Sequence, residues 1–272
     1  MSGNSNRKRE WRVGETTDDT ERTIAVARAI IAERGSVAHA CVGREMLRCS
    51  KCVHPGVKSL WEFHQIADPR HVATSHDGCG AAIRVAPVGI LYRSTRLDEL
   101  VNGAREASIS THGGSVAIAA AAATAAAVSA AIDECSPAEV IALAECAAAE
   151  AERRWPGRAP AVFAHTLRSV YDDLKRVPAI RSMDVASRYF PNEPMTIVPV
   201  ALALATVMHS AEEAILLAAN VGGDSDSVAS IAGAILGARF PATVNDSWYS
   251  AVEMINEHDL SAVAGELTTL RH

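Results

Sequence analysis

Apolar positions along this chain recur every three or four residues for most of its length, and the alternation that marks a half-buried strand is nearly absent. In TTDDTERTIAVARAIIAERG, Ile24, Ala27 and Ile31 share one face, Asp18 and Asp19 fall in the first turn, and Gly35 is placed to end the helix. Periodicity then breaks up around VHPGVKSLWEF and HQIADPRHVATSHDG, which predicts short helices and loops between residues 36 and 78. It resumes in GCGAAIRVAPVGILYR, predicted as a helix that enters on two glycines and meets Pro87 about one turn in. Further helices are predicted over residues 97–109, 115–132, 137–151 and 162–175, with STHGG joining the first two and an irregular stretch running on to Pro194. Toward the C-terminus come PVALALATVMHS, then SAEEAILLAAN with Ser210 as its N-cap, then a helix opened by VGGDSDS, and last the amphipathic NDSWYSAVEMINEHDL.

Composition turns this list into a fold class. Of 272 residues 49% are hydrophobic but only 4% aromatic, and the long apolar runs are dominated by alanine. Small side chains at helix contacts predict an all-α fold, a single-domain orthogonal helical bundle over residues 17–272 behind an irregular N-terminal tail, 1–16. No repeat of 20 to 50 residues interrupts it. VAIAAAAATAAAVSAAI is too weakly apolar for a membrane span, with Thr124 and Ser129 inside it, and reads as a buried helix.

The net charge of −6 argues against nucleic-acid binding, which relies on phosphate neutralisation. The short basic run RKREWR, from Arg7, reads as a solvated tail. No apolar signal segment follows the start methionine and no membrane partner is expected, so the expected compartment is cytoplasmic. The six cysteines are scattered like reduced thiols. Only CSKCVH has ligand-like spacing (Cys49, Cys52, His54), and with His64 as the sole nearby fourth ligand it falls short of a zinc signature.

Two acidic clusters carry the candidate chemistry. TTDDT and GGDSDS each set two aspartates and neighbouring hydroxyls at the entry to a helix, where the positive dipole end and free N–H groups favour ionised carboxylates. Taken singly, each reads as a cap, with Thr17 or Asp18 serving one helix and Ser225 or Ser227 the other. Taken together they exceed what capping needs, and carboxylates with hydroxyls form an all-oxygen set suited to magnesium, manganese or calcium. Behind the second cluster Val228, Ile231 and Ile235 make an apolar stripe, while Gly233 and Gly237 are spaced to let another helix backbone approach. GGDSDS has no P-loop lysine, no glutamate closes an EF-hand loop after Asp224, and no GxSxG or HExxH occurs.

TDDTERTIAVARAI, GCGAAIRVAPVGILY, STHGGSVAIAAAAA and AANVGGDSDSVASIAGAILGA, in this order, resemble the ADP-ribosylglycohydrolase family from about Trp11 to the C-terminus. The resemblance implies a compact all-α domain with two Mg2+ ions, Mn2+ being a possible substitute, that cleaves the glycosidic bond of an ADP-ribosyl group. By resemblance, Thr17, Asp18 and Asp19 match one metal-binding motif, and Asp224, Asp226 and Ser227 the other, with serine where threonine is usual. Asp19 or Asp226 would assist the attacking water. The segment from Gly78 through Cys79 and Gly80 to Arg84 resembles the loop that approaches the substrate phosphates, and His112 the histidine lining the ribose pocket.

Two departures from the family pattern stand out. Cys79 sits where asparagine is frequent. A helix bearing a GDALG-like motif and a downstream acid implicated in catalysis is usual before TDDT, and here only a short polar stretch precedes it, with Glu15 as the one nearby acid and so the candidate for that role. The sequence thus leaves open a second polypeptide supplying that helix. It also leaves open the substrate class: an ADP-ribosylated protein, a small N-ribosyl nucleotide or NAD-derived metabolite, or ADP-ribose bound without turnover.

Overall fold

The alanine-rich run becomes the central helix of the protein. The computed structural model describes residues 12–49, 58–157, 162–178 and 181–272. Among these residues there are fourteen α-helices and no strand. In chain order they are α1 (Asp18–Ala32), α2 (His39–Arg48), α3 (Lys58–Ile66), α4 (Ala86–Leu91), α5 (Leu97–Ser108), α6 (Ser115–Ile132) and α7 (Pro137–Arg154). The second half contributes α8 (Phe163–Lys175), α9 (Ser182–Tyr189), α10 (Pro194–Val207), α11 (Ala211–Ala218), α12 (Ser225–Arg239), α13 (Asp246–Asn256) and α14 (Leu260–Thr269).

Every residue of α6 from Ala117 to Ala131 is buried. The helix has the length and mean hydropathy, 1.9, of a membrane span, yet 83% of it lies inside the protein. It packs most extensively on α7 and is further surrounded by α4, α5, α10 and α12. Alanine makes this possible, because a methyl group lets neighbouring backbones approach where a larger side chain would hold them apart. α4 comes close at one glycine: a Cβ at Gly89 would lie 2.4 Å from the Ala125 carbonyl oxygen. The two buried hydroxyls of α6 are both satisfied, Thr124 donating to the Ala120 carbonyl at 2.9 Å and Ser129 to the Tyr92 carbonyl at 2.5 Å.

Most predicted helices stand within a few residues of their expected limits, and the departures have local causes. Cys79–Ala81 forms a short 3-10 turn, and Pro87 lies in the first turn of α4 rather than interrupting a longer helix. A proline is tolerated there because the first turn has no intrahelical use for its N–H. The expected irregular stretch before Pro194 contains α9, only eight residues long and too short to show a period. Conversely α10 starts at Pro194 and carries Pro199 inside it, past a capping box between Glu193 and Thr196.

The final helix is not the one the sequence suggested. Glu257 and Asp259 both take positive φ of 53°, which stops α13, and Asp259 then caps α14 through the Ala262 N–H. After α14 the Arg271 guanidinium donates to the carbonyls of Gly89, Ile90 and Tyr92 and to the Asp133 carboxylate. It thereby satisfies acceptors that the C-terminal end of α4 leaves without helical partners.

Candidate functional site

The site is assembled by the starts of α1 and α12, which contact each other. Gly222 and Gly223, with φ of +87° and +66°, turn the chain into α12. A Cβ on Gly223 would fall 2.1 Å from the Pro191 carbonyl oxygen, the same oxygen that accepts from the Asp224 N–H at 2.6 Å. Thr17 occupies the N-cap of α1 and Asp224 that of α12, and neither side chain makes a capping hydrogen bond. Ser225 and Ser227 lie inside α12 rather than at its cap. The carboxylates at both helix entries are therefore available for something other than capping.

They border one cavity of about 390 Å³, lined by Asp18, Asp19, Asp224, Asp226 and Ser227 on one side. Its other walls are Gly78, Cys79, Gly80, Ser59 and His112. Asp19 is only 6% exposed, and its Oδ1 has no hydrogen-bond partner, while Oδ2 accepts from the Thr17 hydroxyl at 3.3 Å. Burial, followed by the charges of Asp18 and Asp226, raises the Asp19 pKa to about 7, against an opposing pull from Arg22. Burial and the adjacent Asp224 carboxylate also raise that of Asp226. A buried carboxylate oxygen without a donor is costly to leave unmatched, and it faces further carboxylates and a hydroxyl. That donor set fits a hard divalent cation, although among the described residues no three acidic, histidine or cysteine side chains already close around one point.

The glycine loop has a role the sequence reading did not foresee. A Cβ on Gly78 would lie 3.0 Å from His112 Nε2, and one on Gly80 would lie 2.8 Å from both the His112 ring and Arg22. The glycines thus admit these side chains to the cavity wall. His112 is engaged at both nitrogens, with the Thr111 hydroxyl at 2.7 Å and the Ser59 hydroxyl at 3.3 Å. Burial, then Arg84 and Arg22, holds its pKa well below the ordinary value, so the ring is neutral near pH 7. The Cys79 thiol donates to Asp224 Oδ2 at 3.3 Å and lies 3.6 Å from the Ser227 hydroxyl. Burial and the Asp224 charge push it up to about 12, so it is a protonated thiol.

Two expectations are corrected. Arg84 does not line the cavity: it is fully buried, donating to the Ala107 and Ser108 carbonyls and the Thr111 hydroxyl at 2.9–3.0 Å. It holds the end of α5, through the Ala107 and Ser108 carbonyls, to the loop that carries His112. Glu15 lies outside the cavity lining as well, its carboxylate accepting from the Arg12 N–H at 3.2 Å. The zinc reading cannot be placed, since Cys52 and His54 lie outside the described residues, as do residues 7–11 of the basic run. Gly233 and Gly237 admit no helix backbone; Gly233 faces the Ile215 side chain and Gly237 that of Val244.

Sequence reasoning missed Arg22, Ser59 and Asp77. Arg22 is 1% exposed and ion-paired with Asp18 one turn earlier. An arginine on the face that otherwise buries Ala25, Val26 and Ala29 was the available signal. Asp77 accepts from the Val116 and Ala117 N–H groups and so caps α6 from another segment, in place of its own N-cap Gly114. No sequence-local pattern reveals such a cap. A smaller cavity of about 210 Å³ shares Ser59 and His76 with the first and is lined by the buried, unpartnered Ser110 hydroxyl.

Comparison with known proteins shows what the chain is similar to. A family model described as ADP-ribosylglycohydrolase matches residues 2–272. An uncharacterized protein of Escherichia coli strain K12, YegU, is 27% identical over 274 residues, covering 94% of this chain and 81% of its own. An uncharacterized protein of Archaeoglobus fulgidus is 28% identical over 237 residues, covering 83% of this chain and 72% of its own. A solved structure described as an ADP-ribosylglycohydrolase-related protein complex shares the fold with a TM-score of 0.68 at 23% identity, over 94% of this chain and 82% of that one.

Proposed function

The chain belongs to the ADP-ribosylglycohydrolase family, and on that premise we propose that it is a magnesium-dependent hydrolase that cleaves the glycosidic bond of an ADP-ribosyl group. The observation that carries this reading is the unpartnered, buried Asp19 oxygen in a cavity walled by three further aspartates from two helix starts. Asp19, Asp224, Asp226 and the Ser227 hydroxyl would hold the cation, with Asp18 beside them. Bound there, magnesium or manganese would polarise ribose hydroxyls and lower the pKa of a water.

The chain's own groups have the remaining roles. Asp19 or Asp226 accepts the proton of the attacking water. His112, neutral and fixed at both nitrogens, forms a rigid wall against which the sugar is oriented. Gly78 and Gly80 leave room for the His112 and Arg22 side chains in the adjoining wall. The second cavity, which borders the first at Ser59 and His76, would give room for a substrate longer than a ribosyl group. This favours an ADP-ribosyl compound over a bare N-riboside.

The test is incubation of the full chain with magnesium and, separately, ADP-ribosylated arginine peptide, ADP-ribosylated serine peptide and small N-ribosyl nucleotides, with products identified by mass. Release of ADP-ribose that stops with chelator and falls at least about 100-fold in Asp226→Asn is expected. Binding of ADP-ribose with no sugar released from any substrate would contradict hydrolysis and leave a binding protein.

A further inference from the structure

Cys79 is the one sulfur in the cavity wall, and the hydrolytic reading gives it no task. Its thiol stands at the start of the Cys79–Ala81 turn and reaches the entry of α12. There it donates to Asp224 Oδ2 at 3.3 Å and lies 3.6 Å from the Ser227 hydroxyl. The same wall holds Asp19, only 6% exposed, whose Oδ1 has no hydrogen-bond donor. The two imidazoles of the wall are engaged elsewhere, His112 with hydroxyls and His76 with Glu62 at 2.9 Å. Sulfur is therefore the one electron-pair donor beside the acidic cluster that is not oxygen.

The separations are those of atoms that share an ion. A zinc-sized ion about 2.3 Å from sulfur and about 2.0–2.2 Å from oxygen, with tetrahedral angles, holds the two kinds of ligand about 3.5 Å apart. The distances from the thiol to Asp224 and Ser227, 3.3 Å and 3.6 Å, fall on either side of that value. An ion placed among these three side chains thus asks little movement of any of them.

We infer that Cys79 is a metal ligand of this centre, and that its sulfur raises the affinity for ions that accept sulfur, zinc and cobalt among them, without raising that for magnesium. The inference rests on the divalent-cation reading above and concerns which ion is held most tightly, not whether one is needed. Magnesium and calcium are bound through oxygen, whereas zinc and its neighbours in the first transition row accept carboxylate and thiolate together. The ion takes the place of the proton that the thiol shares with Asp224, and that proton leaves to solvent.

Cobalt can occupy an all-oxygen site as well, so the decisive readings are a signal from sulfur itself and the change when sulfur alone is removed. The experiment titrates the full chain with Co2+, records the near-ultraviolet sulfur-to-cobalt charge-transfer band, and counts bound cobalt by metal analysis after dialysis. The wild-type chain is expected to bind cobalt and show the band. Cys79→Ser should lose the band and at least about tenfold in cobalt affinity, while its magnesium affinity by calorimetry stays nearly the same. Cys79→Ala gives the same comparison if the serine variant fails to fold, and Cys49→Ser, at a cysteine outside the cavity wall, should keep the band. A wild-type chain that binds cobalt without the band overturns the proposal, and so does a folded Cys79 variant that retains it; the thiol is then a hydrogen-bond donor to Asp224 and nothing more. Cobalt bound by none of the proteins overturns the divalent-cation reading, and the proposal with it.

Discussion

Asp19 is where burial and charge conflict most sharply. Its pKa is raised from 3.8 to about 7 in the folded chain, so between these values the native state holds a proton that the unfolded chain has released. In the presence of chelator the contribution of Asp19 to stability is therefore full below about pH 4 and is lost as pH rises through 7. Asp19→Asn removes that dependence. Thermal melts in EDTA should show the variant gaining on the wild-type chain between pH 5 and pH 8, and an unchanged gap would contradict the assigned shift. Arg84 makes the complementary case, a charge held by neutral acceptors instead of by a carboxylate. Arg84→Met takes the guanidinium from the Ala107 carbonyl, while the Ser108 carbonyl and the Thr111 hydroxyl keep their bonds to His112, and should destabilise the protein by about 1–3 kcal/mol. A weaker apparent affinity for ADP-ribose with an unchanged melting temperature would return Arg84 to a substrate-binding role.

At the scale of elements, long helices were legible and short ones were not. α6 begins and ends where its apolar run does, and α5, α7 and α8 lie within three residues of their predicted limits at either end. α9 and the break between α13 and α14 escaped because eight residues show no period and because positive φ at Glu257 and Asp259 has no sequence signature. The candidate site divides in the same way. Asp18, Asp19, Asp224, Asp226 and Ser227 were legible because they crowd two helix entries, and the structure brings them to one cavity. The tasks of Arg84 and Asp77 depend on which segments meet, so no local pattern disclosed them.

Two glycines test the packing account. Gly89→Ala would set a methyl 2.4 Å from the Ala125 carbonyl oxygen and should cost about 1–3 kcal/mol through displacement of α4 from α6. Gly265, inside α14, has no atom within 4 Å of its Cβ position, so Gly265→Ala should stabilise by about 0.5–1 kcal/mol. Denaturant unfolding measures both, and equal effects would contradict the close crossing.

Across the whole molecule, the C-terminal helices hold the first acidic cluster in place. Asn256 accepts from the Thr16 N–H at 3.1 Å and donates to the Gly14 carbonyl at 2.7 Å, while His258 pairs with Glu21 at 3.0 Å. Farther on, α14 packs against α1 and α4, and Arg271 closes the end of α4. Residues more than two hundred positions apart thus set the entry of α1, while Pro191 and the two positive-φ glycines set that of α12. Asn256→Ala should lower stability by about 1–3 kcal/mol and also weaken manganese binding, because the start of α1 loses its tether. Calorimetric titration and a melt of the same sample would separate these effects. Lower stability with full manganese affinity would show that the tether does not reach the site.

The central claim is that the two helix starts form one cation-dependent site for an ADP-ribosyl group. Its most direct test is anomalous diffraction from crystals of the full chain soaked with Mn2+ and ADP-ribose. The account requires an anomalous peak bounded by Asp19, Asp224, Asp226 and Ser227, with the ribose of the ligand turned toward it and against His112. Manganese absent from that cluster, or ADP-ribose seated away from it, would contradict the account.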